Sequence, residues 1–371
     1  MAQEKVSRPA AERQRILQAL SFSENAILSR DLPRDTVLKG ITIRLSGAVT
    51  TTFASGTPVA DAQSIIDNIA PRIDVVINGS RVVKSVRPHL LKMQQLLTTT
   101  ILGERRCSAA AAAITTVPTV DAGFTYGTTT QVTSLAETIY LPFEHVYCDL
   151  GMGREATWLQ LKGVASAELR ITCAAFSKLL GFGNTAPVVF SASTLQFDVH
   201  TLEAQDAPAT LQLSDWKQTT KQVLFSAETA DFAVDINRGN KLSELMFFAQ
   251  DGAAGSATTA TGKLAANNAF TKLSMKVNGQ TDIRSTTFLQ LQAENRAKYG
   301  ASAPMASNVS ILDGIAVMSF LARKDITTAL PLMPPYVDNA QLFVTSNTAA
   351  NVSYTNPVSL TIMTGEIVEP R

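Results

Sequence analysis

The sequence predicts an all-β chain built from two tandem domains of one kind, and three observations carry that prediction. The first is an internal repeat. Residues 31–45, DLPRDTVLKGITIRL, return as DINRGNKLSELMFFA at 235–249, 204 residues later. Asp31, Leu32, Arg34, Leu38, Ile41 and Ile43 align with Asp235, Ile236, Arg238, Leu242, Leu245 and Phe247. RIDVVINGSRVVKS at 72–85 then aligns with KLSMKVNGQTDIRS at 272–285, ETIYLPF at 137–143 with GIAVMSF at 314–320, and AELRITCA at 167–174 with AQLFVTSN at 340–347. The four pairs are collinear, and their spacing shrinks from 204 to 173 residues as loops change length. Solenoid repeats run at roughly 20–50 residues, so a repeat of this size is a whole domain copied once.

The second observation is period-two alternation. ITIRLSG (41–47), RIDVVING (72–79), ELRITCA (168–174), LQFDVHTL (195–202), KLSMKVNG (272–279), QLFVTSN (341–347) and VSLTIMTG (358–365) alternate apolar with polar residues. That pattern belongs to antiparallel strands with one face on a core.

The third is a shared turn and helix. Asn78-Gly79 and Asn278-Gly279 each follow an alternating run, and both residue types tolerate the positive φ of a tight hairpin. A helical segment follows in each copy, over about 85–97 with Val86, Leu90, Leu91, Met93 and Leu97 on one face, and over about 285–299. Ser285 is placed to cap the second helix and Gly300 to end it. Asp31, Arg34, Asn78 and Gly79, with their counterparts Asp235, Arg238, Asn278 and Gly279, are therefore the positions expected to fix turns and repeat geometry.

The domain plan is an arm at 1–20, a first domain at 21–204, a linker at 205–218 and a second domain at 219–371. Stretches rich in Ala, Thr, Ser and Gly at 48–63, 107–134 and 252–268 are expected as long loops, where a β scaffold presents its variable surface. The arm carries Lys5, Arg8, Arg13 and Arg15 against Glu4 and Glu12, with Ile16, Leu17 and Leu20 at helical spacing. It reads equally as a weakly basic amphipathic arm for a membrane surface or neighbouring subunit, and as a short helix or tail on its own domain.

Composition bounds the function. With 371 residues, 45% hydrophobic and 17% charged, the chain is long enough for two cores and has a nearly neutral balance of +1. That balance excludes wrapping nucleic acid by a strongly basic field. Cys107, Cys148 and Cys173 are odd in number and lack CxxC spacing, which predicts reduced thiols, two of them in strands. The polar N-terminus predicts no secretory signal, and no run reaches the roughly 18 apolar residues of a membrane span.

Chemistry-bearing motifs are sparse. His89, His145 and His200 are far apart and outside any metal-ligand spacing. GMGREA (151–156) resembles a dinucleotide loop, but TWLQLKG (157–163) alternates like a strand where a helix is required, so Gly151 and Gly153 read as turn glycines. There is no GxSxG elbow. Glu137, Glu144, Asp149 and Glu155 are expected on a solvated edge, with a meeting in space the less favoured reading. The pattern identifies no catalytic residue, no cofactor and no metal ligand set, and leaves open only a structural cation at a loop or subunit boundary.

LPRDTVLKGITIRLSG (32–47), INRGNKLSELMFFAQDG (236–252) and MKVNGQTDIRSTTFLQLQAENRAKYG (275–300) resemble the opening strands, turn and helix of the double jelly-roll major capsid proteins of tailless, membrane-containing icosahedral bacteriophages, the corticovirus and finnlakevirus type. The longer loops at 107–134 and 252–268 depart from that pattern. The resemblance implies two eight-stranded jelly rolls, each a sandwich of two facing sheets. It implies a non-enzymatic structural protein of the virion, made in the host cytoplasm. Three chains would give a pseudo-hexagonal capsomer that tiles a shell over an internal membrane, with trimer interfaces above about 2,000 Å². The implied partners are the chain itself, neighbouring capsomers, vertex and minor capsid proteins, and the membrane through the N-terminal arm, with no sequence-specific nucleic acid. Two rivals stand beside it: a virion spike or carbohydrate-binding tandem β-sandwich, which calls for an exposed aromatic cluster, and a hydrolase using Glu137 and Glu144.

Overall fold

The computed structural model describes residues 12–53, 65–98, 130–149, 153–179, 188–192, 194–204, 214–250, 269–279, 281–299, 305–306, 309–310, 314–346 and 358–369. The first half contributes β1 (Glu12–Ile16), β2 (Leu20–Ser21), β3 (Ile27–Asp31), β4 (Val37–Phe53), α1 (Ile65–Ile69), β5 (Arg72–Ile77), β6 (Arg81–Val86), α2 (Pro88–Thr98), β7 (Thr130–Pro142), β8 (Leu159–Gln160), β9 (Ala167–Thr172), β10 (Val188–Ala192) and β11 (Gln196–Ala204). The second half contributes β12 (Asp215–Phe225), β13 (Phe232–Asp235), β14 (Lys241–Gln250), β15 (Phe270–Val277), β16 (Thr281–Thr286), α3 (Phe288–Tyr299), β17 (Met305–Ala306), β18 (Val309–Ser310), β19 (Ile315–Ser319), β20 (Leu330–Pro331), β21 (Ala340–Ser346) and β22 (Val358–Val368).

The two halves have one topology. In the first, β1 and β2 both pair with β11, which pairs with β4, which pairs with β7; the facing strands run β3-β9-β5-β6. In the second, the matching orders are β12-β22-β14-β19 and β13-β21-β15-β16. Each half is thus a sandwich of two four-position sheets, a jelly roll. Apolar residues that alternate along the strands fill the space between the sheets. Ile41, Ile43, Ile73, Val75, Leu169 and Val199 do so in the first roll, and Leu245, Phe247, Leu273, Met275, Leu342 and Leu360 in the second. Each is fully buried, and at about 1.5–3 kcal/mol per side chain their burial dominates the stability.

The repeat extends to backbone irregularities. The β4·β11 ladder slips at Lys39, and the β14·β22 ladder slips at Ser243, 204 positions on. The β5·β6 ladder slips at Val83, and β15·β16 slips at Ile283, 200 positions on. Such bulges add local twist and re-aim the strand.

Several expectations are corrected. Residues 12–16 form no helix; they are an edge strand of the first roll, because β11 offers them an open ladder. The arm therefore does not extend to residue 20, and residues 1–11 lie outside the described residues. The linker ends before 215, since Asp215–Gln218 already pair with β22. Residues 48–53 and 130–134 continue β4 and β7 as a paired extension, with β10 on the other side of β4, instead of looping; 54–63, 107–129 and 252–268 lie outside the described residues. Gly47 marks where this extension leaves the roll: its φ is +127°, and a Cβ there would stand 2.3 Å from the Thr194 carbonyl. The second helix is capped by Thr287, not Ser285, which is still in β16. Thr287 Oγ1 accepts from the Gln290 amide (3.2 Å) while Gln290 Oε1 accepts from the Thr287 amide (3.0 Å), a reciprocal capping box. The first helix begins at Pro88, where proline suits the opening turn. Cys148 sits in a turn and Cys173 one residue past β9, so neither is within a strand.

Candidate assembly surface

The eight repeat positions come together as two equivalent clusters, one at the same end of each roll. Asn78 and Gly79 adopt φ of 52° and 73°, and Asn278 and Gly279 adopt 55° and 69°. Asn78 Oδ1 accepts from the amides of Ala165 (2.9 Å) and Ser166 (3.4 Å). Asn278 Oδ1 accepts from Asp338 (2.7 Å) and Asn339 (3.4 Å). Arg34 donates to the Ala165 carbonyl, and Arg238 to the carbonyls of Val337 (3.1 Å) and Asp338. One arginine and one asparagine thus hold the loop that enters β9 or β21. Asp31 pairs with Glu168 in the β3·β9 ladder, and Asp235 accepts from Gln341 Nε2 at 2.9 Å. These clusters are structural: they lock three turns together and expose no reactive group.

The seam between the rolls holds residues that sequence reasoning missed. β6 of the first roll pairs in parallel with β12 of the second, Lys84 opposite Gln218 and Ser85 opposite Thr219, so one sheet runs continuously from roll to roll. Lys84 is fully buried; its ammonium donates to Gln218 Oε1 (2.7 Å) and lies 3.9 Å from the Trp216 ring centre. Burial holds the Lys84 pKa well below the usual lysine range, with Glu244 pulling it back up. Trp216 Nε1 donates to Glu244 Oε1 at 3.0 Å. His145 from the first roll stacks against Trp216 at 4.5 Å, and Arg81 forms an ion pair with Asp215. Further along, His89 of α2 packs on Phe248 (4.5 Å), and Arg87 donates to Gln250 Oε1 (3.2 Å). Met246, Phe248, Met363 and Ile367 join the first roll's core across this seam.

No cluster of catalytic type emerges among the described residues. Among the described residues no group of three or more metal-type side chains stands together. The four carboxylates do not converge: Glu137 takes Lys92 and the Ile66 amide (2.7 Å), Glu144 takes Arg154 (2.7 Å), Asp149 takes Lys324 (3.4 Å), and Glu155 opens a short turn. Burial raises the Cys148 and Cys173 thiols to about 12 and about 11, which keeps both unreactive. Gly153 has the positive φ of a turn glycine, +94°; Gly151 lies outside the described residues. Trp158 and Trp216 are both buried, so neither belongs to an exposed sugar-binding cluster.

No family model and no curated protein matches this sequence. Solved structures do match. The fold is similar to the major capsid protein of Sulfolobus turreted icosahedral virus, at 15% identity and TM-score 0.63 over 97% of each chain. It is similar to the major capsid protein P2 of bacteriophage PM2, at 9% identity and TM-score 0.55 over 97% of this chain and 99% of that one. It is similar to the capsid of the PBCV-1 virus, at 13% identity and TM-score 0.54 over 99% and 97% of the two chains. The chain has the double jelly-roll fold of these capsid proteins.

Proposed function

We propose that this chain is a viral major capsid protein whose trimers act as pseudo-hexagonal tiles of an icosahedral shell. The likeness in fold supports this, and the unequal cover of the two rolls supports it most. Within the chain, α2 is buried almost all round, packed on β7 and α1 of its own roll and reaching the second roll through α3 and through His89 on Phe248. Its counterpart α3 leaves Leu289 56% exposed. Conversely β14 is buried on both faces, while its counterpart β4 leaves Arg44 exposed and Thr42 and Ser46 half-buried on the outer face. Each roll thus carries a helix side and a sheet side, and each chain has one of each left over. Contacts of this head-to-tail kind close into a ring when the rotation allows. Six rolls, hence three chains, complete a hexagon.

The divergence of the two copies suits this role. Phe248 and Met246 lie in the permanent seam, where Arg44 and Thr42 occupy the same positions on the open face. A polar open face keeps a free subunit from sticking to unintended surfaces.

An internal membrane beneath the shell, and synthesis in a host cytoplasm, follow from the sequence resemblance and belong to the same proposal, as do vertex and minor capsid partners. The basic residues Lys5 and Arg8 would face that membrane. Nothing in the proposal calls for a cofactor or a reaction. Electron microscopy of particles from cells expressing the protein with its native neighbours tests it. Hexagonal capsomers on a closed, lipid-containing shell are expected; absence of the protein from any shell would overturn it.

A further inference from the structure

We infer that β16 of one subunit pairs in parallel with β1 of a second copy, with Arg284 opposite Gln14 of the partner subunit. The inference rests on the trimer reading and adds its register. β16 ends the sheet β13-β21-β15-β16, and β1 ends the sheet β1-β11-β4-β10. Both edge strands are largely exposed, with Ile16 73% and Ile283 38% accessible. An open edge presents unpaired backbone groups and invites another strand.

The register follows from ladders already described. Lys84 and Ser85 correspond to Arg284 and Ser285, since Val75 pairs with Lys84 as Met275 pairs with Arg284. On the other side, Gln14 pairs with Leu202, which pairs with Gly40. Gln218 pairs with Gly365, which pairs with Glu244. Gly40 and Glu244 are repeat equivalents, so Gln14 stands where Gln218 stands, and Glu12 stands where Trp216 stands. Within the chain a buried lysine meets a glutamine and an indole face. Between chains the same geometry brings a guanidinium to a glutamine and a carboxylate. The charges are complementary, and an arginine–carboxylate pair of this kind sets register and partner choice. In the isolated chain Arg284 meets Glu294 and the Ser319 carbonyl (3.0 Å), and Glu12 meets Lys39.

The test is a cysteine pair in the full chain. Gln14→Cys with Arg284→Cys is expected to give, on mild oxidation, a covalent trimer on a non-reducing gel. Gln14→Cys with Ser285→Cys, whose side chains would point to opposite sheet faces, is expected to stay uncrosslinked. Arg284→Glu is expected to raise the concentration of half-dissociation at least roughly tenfold, and Arg284→Lys to restore most of the loss; Glu294→Gln, which removes only the partner of Arg284 within the subunit, is expected to leave the half-dissociation concentration within about twofold of wild type. A native trimer whose in-register pair fails to crosslink overturns this inference and leaves the capsid reading standing. A wild-type chain that is monomeric overturns both.

Discussion

His145 of the first roll lies 3.3 Å from Glu244 of the second, both with essentially no exposure to water. Glu244 also accepts from Trp216, and its charge raises the pKa of the buried Lys84 against the effect of burial, so one carboxylate acts on residues of both rolls. Removing one member of a buried ionic group leaves the others desolvated and uncompensated. Glu244→Ala is expected to cost about 3–5 kcal/mol in chemical denaturation. A loss below about 1 kcal/mol would show that the seam does not depend on this group.

Gly365 stands opposite Glu244, and a Cβ on it would fall 1.8 Å from Glu244 Oε1. The backbone there needs no positive φ, so the demand is for space alone. Gly365→Ala is expected to destabilise by about 1–3 kcal/mol through overpacking. In the double variant with Glu244→Ala the cost of the alanine should largely vanish, measured as a double-mutant cycle.

The asparagine turns should behave as twins. Asn278→Ala loses both tolerance of positive φ and the acceptor for two amides, an expected cost of about 1–3 kcal/mol. Asn278→Gly keeps the backbone freedom and loses only the side-chain hydrogen bonds, those accepted from Asp338 and Asn339 and the one donated to the Tyr336 carbonyl (3.0 Å), so its melting temperature should fall less. Asn78 variants should follow the same order, because Ala165 and Ser166 stand where Asp338 and Asn339 do.

Stability should depend on pH through His89. Burial pushes its pKa down to about 4; Asp67 pulls it up, and Arg87 and Lys92 push it down. Between that value and the unfolded histidine value near 6.5, the unfolded chain binds the extra proton, so stability falls as pH falls. The full contribution is present above about pH 6.5, and about 3 kcal/mol of it is gone by pH 4. Denaturation curves of wild type and His89→Gln across that range check this: the variant should lack that share of the slope.

Much of the fold was legible in the sequence because duplication states each feature twice. The strand alternation, the Asn-Gly hairpins and both helices reappear in the same order, and even the bulges at Lys39 and Ser243 keep the 204-residue spacing of their strands. The opening strand was not legible. Glu12–Ile16 is an exposed edge whose residues carry no period-two signal, while Ile16, Leu17 and Leu20 fit a helix by spacing. The seam was also hidden, since Lys84, His145, Trp216 and Glu244 are scattered along the chain. Two faint marks were present: Lys84 interrupts the apolar run RVVKSV, and β14 reads KLSELMFFAQ, too apolar for a strand with one wet face. β14 is buried on both sides because His89 of α2 packs on Phe248 while Tyr147 and His145 meet Met246 and Glu244, which is a fact of packing that local pattern cannot carry.

The most direct measurement is the native mass of freshly purified protein at micromolar concentration. An open helix side and an open sheet side on every chain predict a species of three times 39.7 kDa. A particle that remains at the mass of one chain would contradict the account.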